Sequence, residues 1–548
     1  MHEVKYFLQT FGCQMNILDS QLIEGQLRAR GMTPVTNYRD ADVILFNTCS
    51  VRQHAEDKVY SRLGQIQGFK QSRPETVVGV VGCMAERVKL DLFVQAPHLD
   101  LLCGPGELNQ LPALIEEVRA RRAQVAALAG SQSRRTPVLQ RALESDSLET
   151  LDLSRAPQTE GNVLQSYVRV QRGCDKFCTF CVVPFVRGPE RSRPPSHIVQ
   201  EARTLADRGC REVTLLGQTV NSYVHQENGQ AVTFAKLLER VHEVDGIDRL
   251  RFVTSFPADW DEDIFRVMRD HPRLMPQLHI PAQSGSGRIL KAMRRTYTAD
   301  SYLKLLDTAR KYVPHIALAG DFIVGFCGET EEDFRQSVDL VRRVQYESLF
   351  IFKYSPRPGT KADRNLADDV PHAVKVRRNN ELLAVQDEIS LRHKQALIGQ
   401  TVEVLVEGFS KAARKAQGEP SSQLRTRGKA SPTFGVGASG DRTQQAGRSG
   451  PQTRQDDQPT QTGRAGSTRR PAADRSAIQL VGRTPGDLLA VFDAPPELIG
   501  AIVNVRVEGA SPHTLFGHVT EVVSPPRARS ASQPQRRDDC VSLPILPA

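Results

Sequence analysis

Apolar and polar positions divide the chain into stretches of different period. Near the N-terminus three apolar runs stand out, Val4–Gln9, Asp42–Asn47 and Thr76–Val81, with a shorter fourth at Leu99–Cys103. Short continuous runs of this kind are the pattern of strands buried on both faces. Between them, Asp19–Arg30 and Arg52–Gln67 show helical patterns, and Leu111–Arg122 reads as a closing helix. Strands alternating with helices predict a parallel α/β sheet over residues 1–125. Residues 126–162 are polar, without a sustained period, and read as a linker.

A second alternating region covers 163–397. Its strand candidates are Tyr167–Gln171, Glu212–Leu216, Leu250–Thr254, Gln277–Ile280, Ala317–Val324 and Leu349–Tyr354. Helical patterns separate them, including Ser196–Arg208, Phe234–Val244, Glu262–Asp270 and Glu331–Val344. Thr330 followed by Asp333 has the spacing of a helix N-terminal cap. Six βα units predict a partial barrel, with function at the C-terminal ends of its strands. The helix Ala373–Ala396 follows. Residues 398–523 read as a small β-rich unit built from Thr401–Glu407, Gln479–Phe492 and Ile502–Val507, ending near Val523. It is interrupted by 411–477, rich in Gly, Ser, Gln, Arg and Pro. So few apolar residues predict disorder there, and again in the tail 524–548. Loop closure entropy grows slowly with length, so a fold tolerates such an insertion.

Composition changes this picture little. The net charge is +9, a balance that points towards nucleic acid. However, 411–477 carries 13 Lys and Arg against 5 Asp and Glu, and 524–548 carries 4 against 2. The remainder is close to neutral, so charge alone does not identify a partner for the folded part. With a mean hydropathy of −0.38, no apolar run long enough to span a bilayer and no secretory pattern at the N-terminus, the chain reads as cytoplasmic.

The ten cysteines lack the dense, even spacing of a disulfide scaffold. Three of them, Cys174, Cys178 and Cys181, directly follow the first strand of the six-unit region. Three thiolates this close can wrap one metal centre. A cubic four-iron cluster has four iron corners, so three protein ligands leave one open. A zinc knot is the alternative, although no fourth Cys or His stands at a usual zinc spacing. Cys13, Cys49 and Cys83 lie far apart in sequence but share one setting. Each ends an apolar run and follows a small residue, Gly12, Thr48 or Gly82. Strand C-termini line one edge of a parallel sheet, where ligands bind, so the three thiols are expected to face one crevice. The alternative is three buried structural cysteines.

These motifs resemble the methylthiotransferase family of radical S-adenosylmethionine (SAM) enzymes. The strings that carry the resemblance are Thr-Phe-Gly-Cys13-Gln-Met-Asn, Asn-Thr-Cys49-Ser-Val-Arg, Gly-Cys83-Met-Ala-Glu and Gly-Cys174-Asp-Lys-Phe-Cys178-Thr-Phe-Cys181. Downstream stand Gly-Gln218-Thr-Val-Asn221, Gln283-Ser-Gly-Ser and Tyr354-Ser-Pro-Arg-Pro-Gly-Thr360. The resemblance covers 1–410 and 478–523. It implies a radical SAM barrel and a final unit similar to a TRAM domain, a small RNA-binding β-barrel. It also implies two [4Fe–4S] clusters, one on Cys174, Cys178 and Cys181 and one on Cys13, Cys49 and Cys83.

In that family SAM binds the open iron and is cleaved to a 5′-deoxyadenosyl radical, while a second SAM methylates a sulfur on the other cluster. Phe180 would lie near the adenine of SAM, with core packing as its other reading. Gln218, Ser255 and Gln283 are SAM-contact candidates at the barrel mouth. No catalytic side chain is assigned beyond the cluster ligands. Ser50 after Cys49, where other branches carry Gly or Thr, points to the branch that methylthiolates C2 of N6-isopentenyladenosine at tRNA position 37. The implied partners are tRNA and an external electron-donating reductase, with the chain acting as a monomer. Methylthiolation of a ribosomal protein and a noncatalytic, metal-stabilised RNA-binding protein remain the rivals.

Other residues carry blander readings. Asn16, Asp19 and Ser20 could cap the helix after Cys13, and Arg172 could touch substrate or support the cluster loop. His279 reads as a barrel-interior residue. Cys103, Cys210 and Cys540 read as structural. Cys327 stands where the family usually has Pro and reads as a loop change. Trp260, Phe350 and Phe352 read as core.

Overall fold

The computed structural model describes residues 3–50, 53–128, 149, 152, 164–418 and 478–527. The N-terminal unit is a parallel sheet in the order Thr33–Pro34, Lys5–Phe11, Val43–Thr48, Val77–Gly82, Leu101–Cys103 and Val125–Ala127. The two central strands are buried at every position, as their continuous apolar runs demand. Helices Gln14–Ala29, Gln53–Ser72 and Leu111–Arg121 cover the faces. The two edge strands were not expected. They are too short to show a period, and pairing to a neighbour alone creates them. Val125–Ala127 also carries the sheet past the predicted linker boundary at 126.

The central unit contains the six expected strands as two parallel three-stranded sheets. Gln165–Arg169, Glu212–Leu216 and Arg249–Phe252 form one; Gln277–His279, Ala317–Val324 and Ser348–Lys353 form the other. A parallel bridge between Leu250 and Leu274 joins them into an incomplete barrel. Amphipathic helices pack outside. Glu331–Val344 begins with a capping box in which Thr330 and Asp333 bond each other's backbone. An unexpected hairpin, Val224–Glu227 with Gln230–Thr233, turns at Asn228–Gly229, both at positive φ, a two-residue turn signal present in the sequence.

The C-terminal unit is a closed five-stranded barrel of Thr401–Phe409, Ile478–Arg483, Leu489–Ala494, Ile502–Ser511 and Thr514–Ser524. The run Gln479–Phe492 is thus two strands, separated at Asp487 in the left-handed region. Two predicted boundaries move. A helix, Lys411–Ala416, capped by Ser410, extends ordered chain into the predicted insertion, because it packs on the strand at 478. The last strand runs through Ser524, and Arg527 pairs with Asp248 at 2.7 Å. The rest of the linker, 419–477 and 528–548, with Cys540, lie outside the described residues.

Three arginines fix the small barrel to the partial barrel. Arg211 donates to Gly500 O at 2.7 Å and Ser524 Oγ at 2.7 Å. Arg249 reaches Arg483 O and Glu403, each at 2.7 Å. Arg251 reaches Pro485 O at 2.8 Å and Thr484 O at 2.9 Å, and pairs with Glu212 at 3.0 Å. All three are 2% exposed or less. Arg211 and Arg249 stand where their strands begin, so the small barrel attaches at the end opposite the Cys174 loop. No helix among the described residues is long and apolar enough to cross a membrane.

Candidate active site

Cys13 caps the helix Gln14–Ala29 directly after the first strand. Cys49 follows the strand Val43–Thr48, and Cys83 opens the short helix after Val77–Gly82. Neighbouring parallel strands therefore bring all three to one sheet edge. A buried amide pair ties these turns together. Asn16 Nδ2 donates to Asn47 Oδ1 at 3.0 Å, and Asn47 Nδ2 donates to Asn16 O and Ser20 Oγ, each at 2.8 Å. Cys13 Sγ donates to Asn16 Oδ1 at 3.1 Å. Asn16, Asp19 and Ser20 therefore do not cap the helix; Asn16 and Ser20 join the strand ends, and Asp19 pairs across the domains.

Glycine is required at Gly12 for two reasons. Its φ is +126°, and a Cβ there would stand 2.2 Å from Cys49 Cβ. Gly12→Ala should displace Cys49. We expect reconstituted iron to fall from about eight to about four per chain while SAM cleavage persists, measured by iron assay and 5′-deoxyadenosine release. Retention of full iron would contradict this.

The second cysteine loop follows the barrel's first strand. Cys178 is buried, and Cys174 and Cys181 are half-buried. Burial pushes the thiol of Cys174 up to about 12 and that of Cys83 up to about 11, and holds Cys181 above its usual range. Metal binding at such thiols must displace protons. Arg295, stacked 4.7 Å over Phe256, donates to Cys178 Sγ at 3.2 Å. Among the described residues, no three His, Cys, Asp or Glu side chains are grouped as ligands of a single metal ion. A cubane spreads its thiolates over separate irons, so its ligands stand farther apart than those of one zinc. The all-thiol donor sets fit such a cluster.

The N-terminal sheet edge meets the segment that follows the Cys174 loop. Cys83 packs against Val182 and Val186, just beyond Cys181. Arg187, next along, donates to Asp19 at 2.7 Å, and its charge acts on the Cys83 thiol. Asp19 also pairs with Arg169 at 3.0 Å, and Arg169 and Arg172 both pair with Asp152. Arg172 thus supports the loop through Asp152. On the other side Arg357 of the Ser-Pro-Arg-Pro string donates to Gln53 Oε1 at 2.6 Å. Sequence reading missed Arg187, Arg295 and the pairing of Asp19. Nothing in their local patterns separates them from surface charges.

Of the SAM-contact candidates, Ser255 is buried beyond Arg249–Phe252, and its Oγ has no hydrogen-bond partner among the described residues. Gln218 is half-buried beyond Glu212–Leu216. Gln283 is buried, and its backbone bonds Asp321 and Ile323. Among the described residues, no hydrogen bond joins these three side chains. Phe180 is half-buried, its ring 6.4 Å from Phe326. Phe177, Thr254 and Gln283 all adopt positive φ at the mouth. For residues other than glycine this costs about 1–3 kcal/mol, and such strain gathers at active sites.

The remaining readings find plain places. His279 faces Asp321 at 3.3 Å. Cys103 and Cys210 lie in cores, and Cys327 packs with Phe326 and Tyr354. Trp260 stacks on Phe265, Phe350 is buried, and Phe352 is half-buried.

Residues 5–104 match uncharacterized protein family UPF0004, 168–341 the radical SAM superfamily, and 473–520 the TRAM domain. The radical SAM match implies a [4Fe–4S] cluster and SAM. The tRNA-2-methylthio-N(6)-dimethylallyladenosine synthase of Rhodopirellula baltica is 42% identical over 94% of this chain and 96% of its own length. The protein of the same name from Parabacteroides distasonis is 41% identical over 95% and 96%. Among solved structures, the radical SAM methyltransferase TsrM of Kitasatospora setae aligns with a TM-score of 0.47 and 13% identity, over 66% of this chain and 77% of that one. The apposed cysteine loops and identity along nearly the whole length place this chain in the tRNA-2-methylthio-N6-dimethylallyladenosine synthase family of radical SAM methylthiotransferases.

Proposed function

We propose that this protein attaches a methylthio group to C2 of N6-isopentenyladenosine at position 37 of tRNA. Cys174, Cys178 and Cys181 would hold one four-iron cluster, and Cys13, Cys49 and Cys83 would hold a second. The observation that supports this reading is the packing of Cys83 on Val182 and Val186, which brings one N-terminal thiol against the residues that follow Cys181. A C2–H bond resists acid–base removal, and SAM with its cluster supplies the radical chemistry that acid–base side chains cannot. The chain's own groups bind and orient. Ser255 Oγ, Gln218 and Gln283 would hold SAM at the strand ends, and Phe180 would pack beside its adenine. Arg295 steadies Cys178. An external reductase supplies electrons, and the chain acts as a monomer.

The substrate side is supported by a cavity of about 360 Å³ behind the cluster loop, lined by Thr179, Lys291, Arg294, Lys361 and Asn365. Its three cations form no ion pair among the described residues, so they are available to RNA phosphates. The test is anaerobic reconstitution with iron and sulfide, then SAM, dithionite and isopentenylated tRNA. We expect about eight irons per chain, release of 5′-deoxyadenosine, and a 2-methylthio nucleoside by mass spectrometry. Stoichiometric zinc without SAM cleavage would reject the enzyme in favour of a metal-stabilised RNA binder.

A further inference from the structure

Arg187 belongs to the barrel, yet its guanidinium lies among residues of the N-terminal sheet unit. It caps the turn Val183–Val186 beyond the Cys174 loop and is 7% exposed. Asp19, from the helix that begins at Cys13, anchors it at 2.7 Å. The charges of both Cys83 and Cys13 act on it. The neighbouring Val186 seats on Cys83 and fixes the approach. One cation from the segment after the first cluster's loop therefore stands near the cysteines proposed as ligands of the second.

We propose that Arg187 is a positioning residue for the second cluster, whose charge near Cys83 sets that cluster's reduction potential from the opposite domain. The inference rests on the assignment of Cys13, Cys49 and Cys83 as ligands. Reduction adds one electron to the cluster, and a buried guanidinium beside a ligand sulfur stabilises that added negative charge. Cluster potentials follow net charge and hydrogen bonds to sulfur. Asp19 offsets part of the cation, so it acts with the opposite sign.

The test uses full-length protein in which Cys174, Cys178 and Cys181 are all replaced by Ala, reconstituted anaerobically. About four irons per chain are expected. The potential is followed by electron paramagnetic resonance during dithionite titration. In this background Arg187→Met should move the potential to more negative values. Arg187→Lys, which keeps the charge but loses the fork, should move it less in the same direction. Asp19→Asn should move it to more positive values. If Arg187→Met takes up no iron, the opposed shifts of Arg187→Lys and Asp19→Asn carry the test. Opposed shifts are not expected of a residue that only holds the domains together. Equal potentials in variants with full iron would overturn the role of Arg187 while leaving the ligand assignment intact. A parent without iron would overturn that assignment and the inference with it.

Discussion

Replacing Cys178 with Ala is expected to abolish SAM cleavage and to lower iron from about eight to about four per chain. Both effects follow from the position of Cys178 in the loop after the barrel's first strand. Removing one of three ligands leaves a cubane with two open corners, and the loop has no other thiol to offer. The side chain also accepts the Arg295 hydrogen bond, so its loss leaves a half-buried donor without that partner. The N-terminal triad sits on a different sheet and should keep its iron. If Cys178 were only a packed core residue, the change would cost modest stability and leave SAM cleavage in place. Iron analysis and chromatography of 5′-deoxyadenosine separate these outcomes.

Arg251→Met is expected to destabilise the attachment of the small barrel by about 3–5 kcal/mol, the range for breaking a buried ion pair by removing one partner. Glu212, 1% exposed, would lose its guanidinium partner. The carbonyls of Thr484 and Pro485 would lose their donors. Because the barrel mouth lies at the other end of the strands, SAM cleavage without tRNA should persist. Weaker tRNA binding should accompany an earlier first transition in denaturant. Unchanged unfolding, or loss of SAM cleavage equal to loss of tRNA binding, would contradict this separation of roles.

The features legible in sequence share a physical cause. Val43–Thr48 and Val77–Gly82 are buried on both faces, so each is written as a continuous apolar run, and a cysteine immediately after such a run must emerge at the sheet edge. The barrel strands were legible for the same reason, and the Thr330 cap because capping is local. What escaped was long-range. Asp19 and Arg187 stand 168 residues apart, and nothing near Asp19 distinguishes a domain-bridging carboxylate from a cap. Arg211, Arg249 and Arg251 carry no local sign of burial, yet tertiary contact buries them under the small barrel. Val125–Ala127 has no period of its own and becomes a strand only because Leu101–Cys103 offers an open edge.

The most direct measurement of the central claim is mass spectrometry of tRNA nucleosides from the source organism with this gene deleted. Loss of the 2-methylthio group from N6-isopentenyladenosine, with the unmodified isopentenyl nucleoside accumulating in its place, is the predicted result. Undiminished 2-methylthio nucleoside in that strain would contradict it.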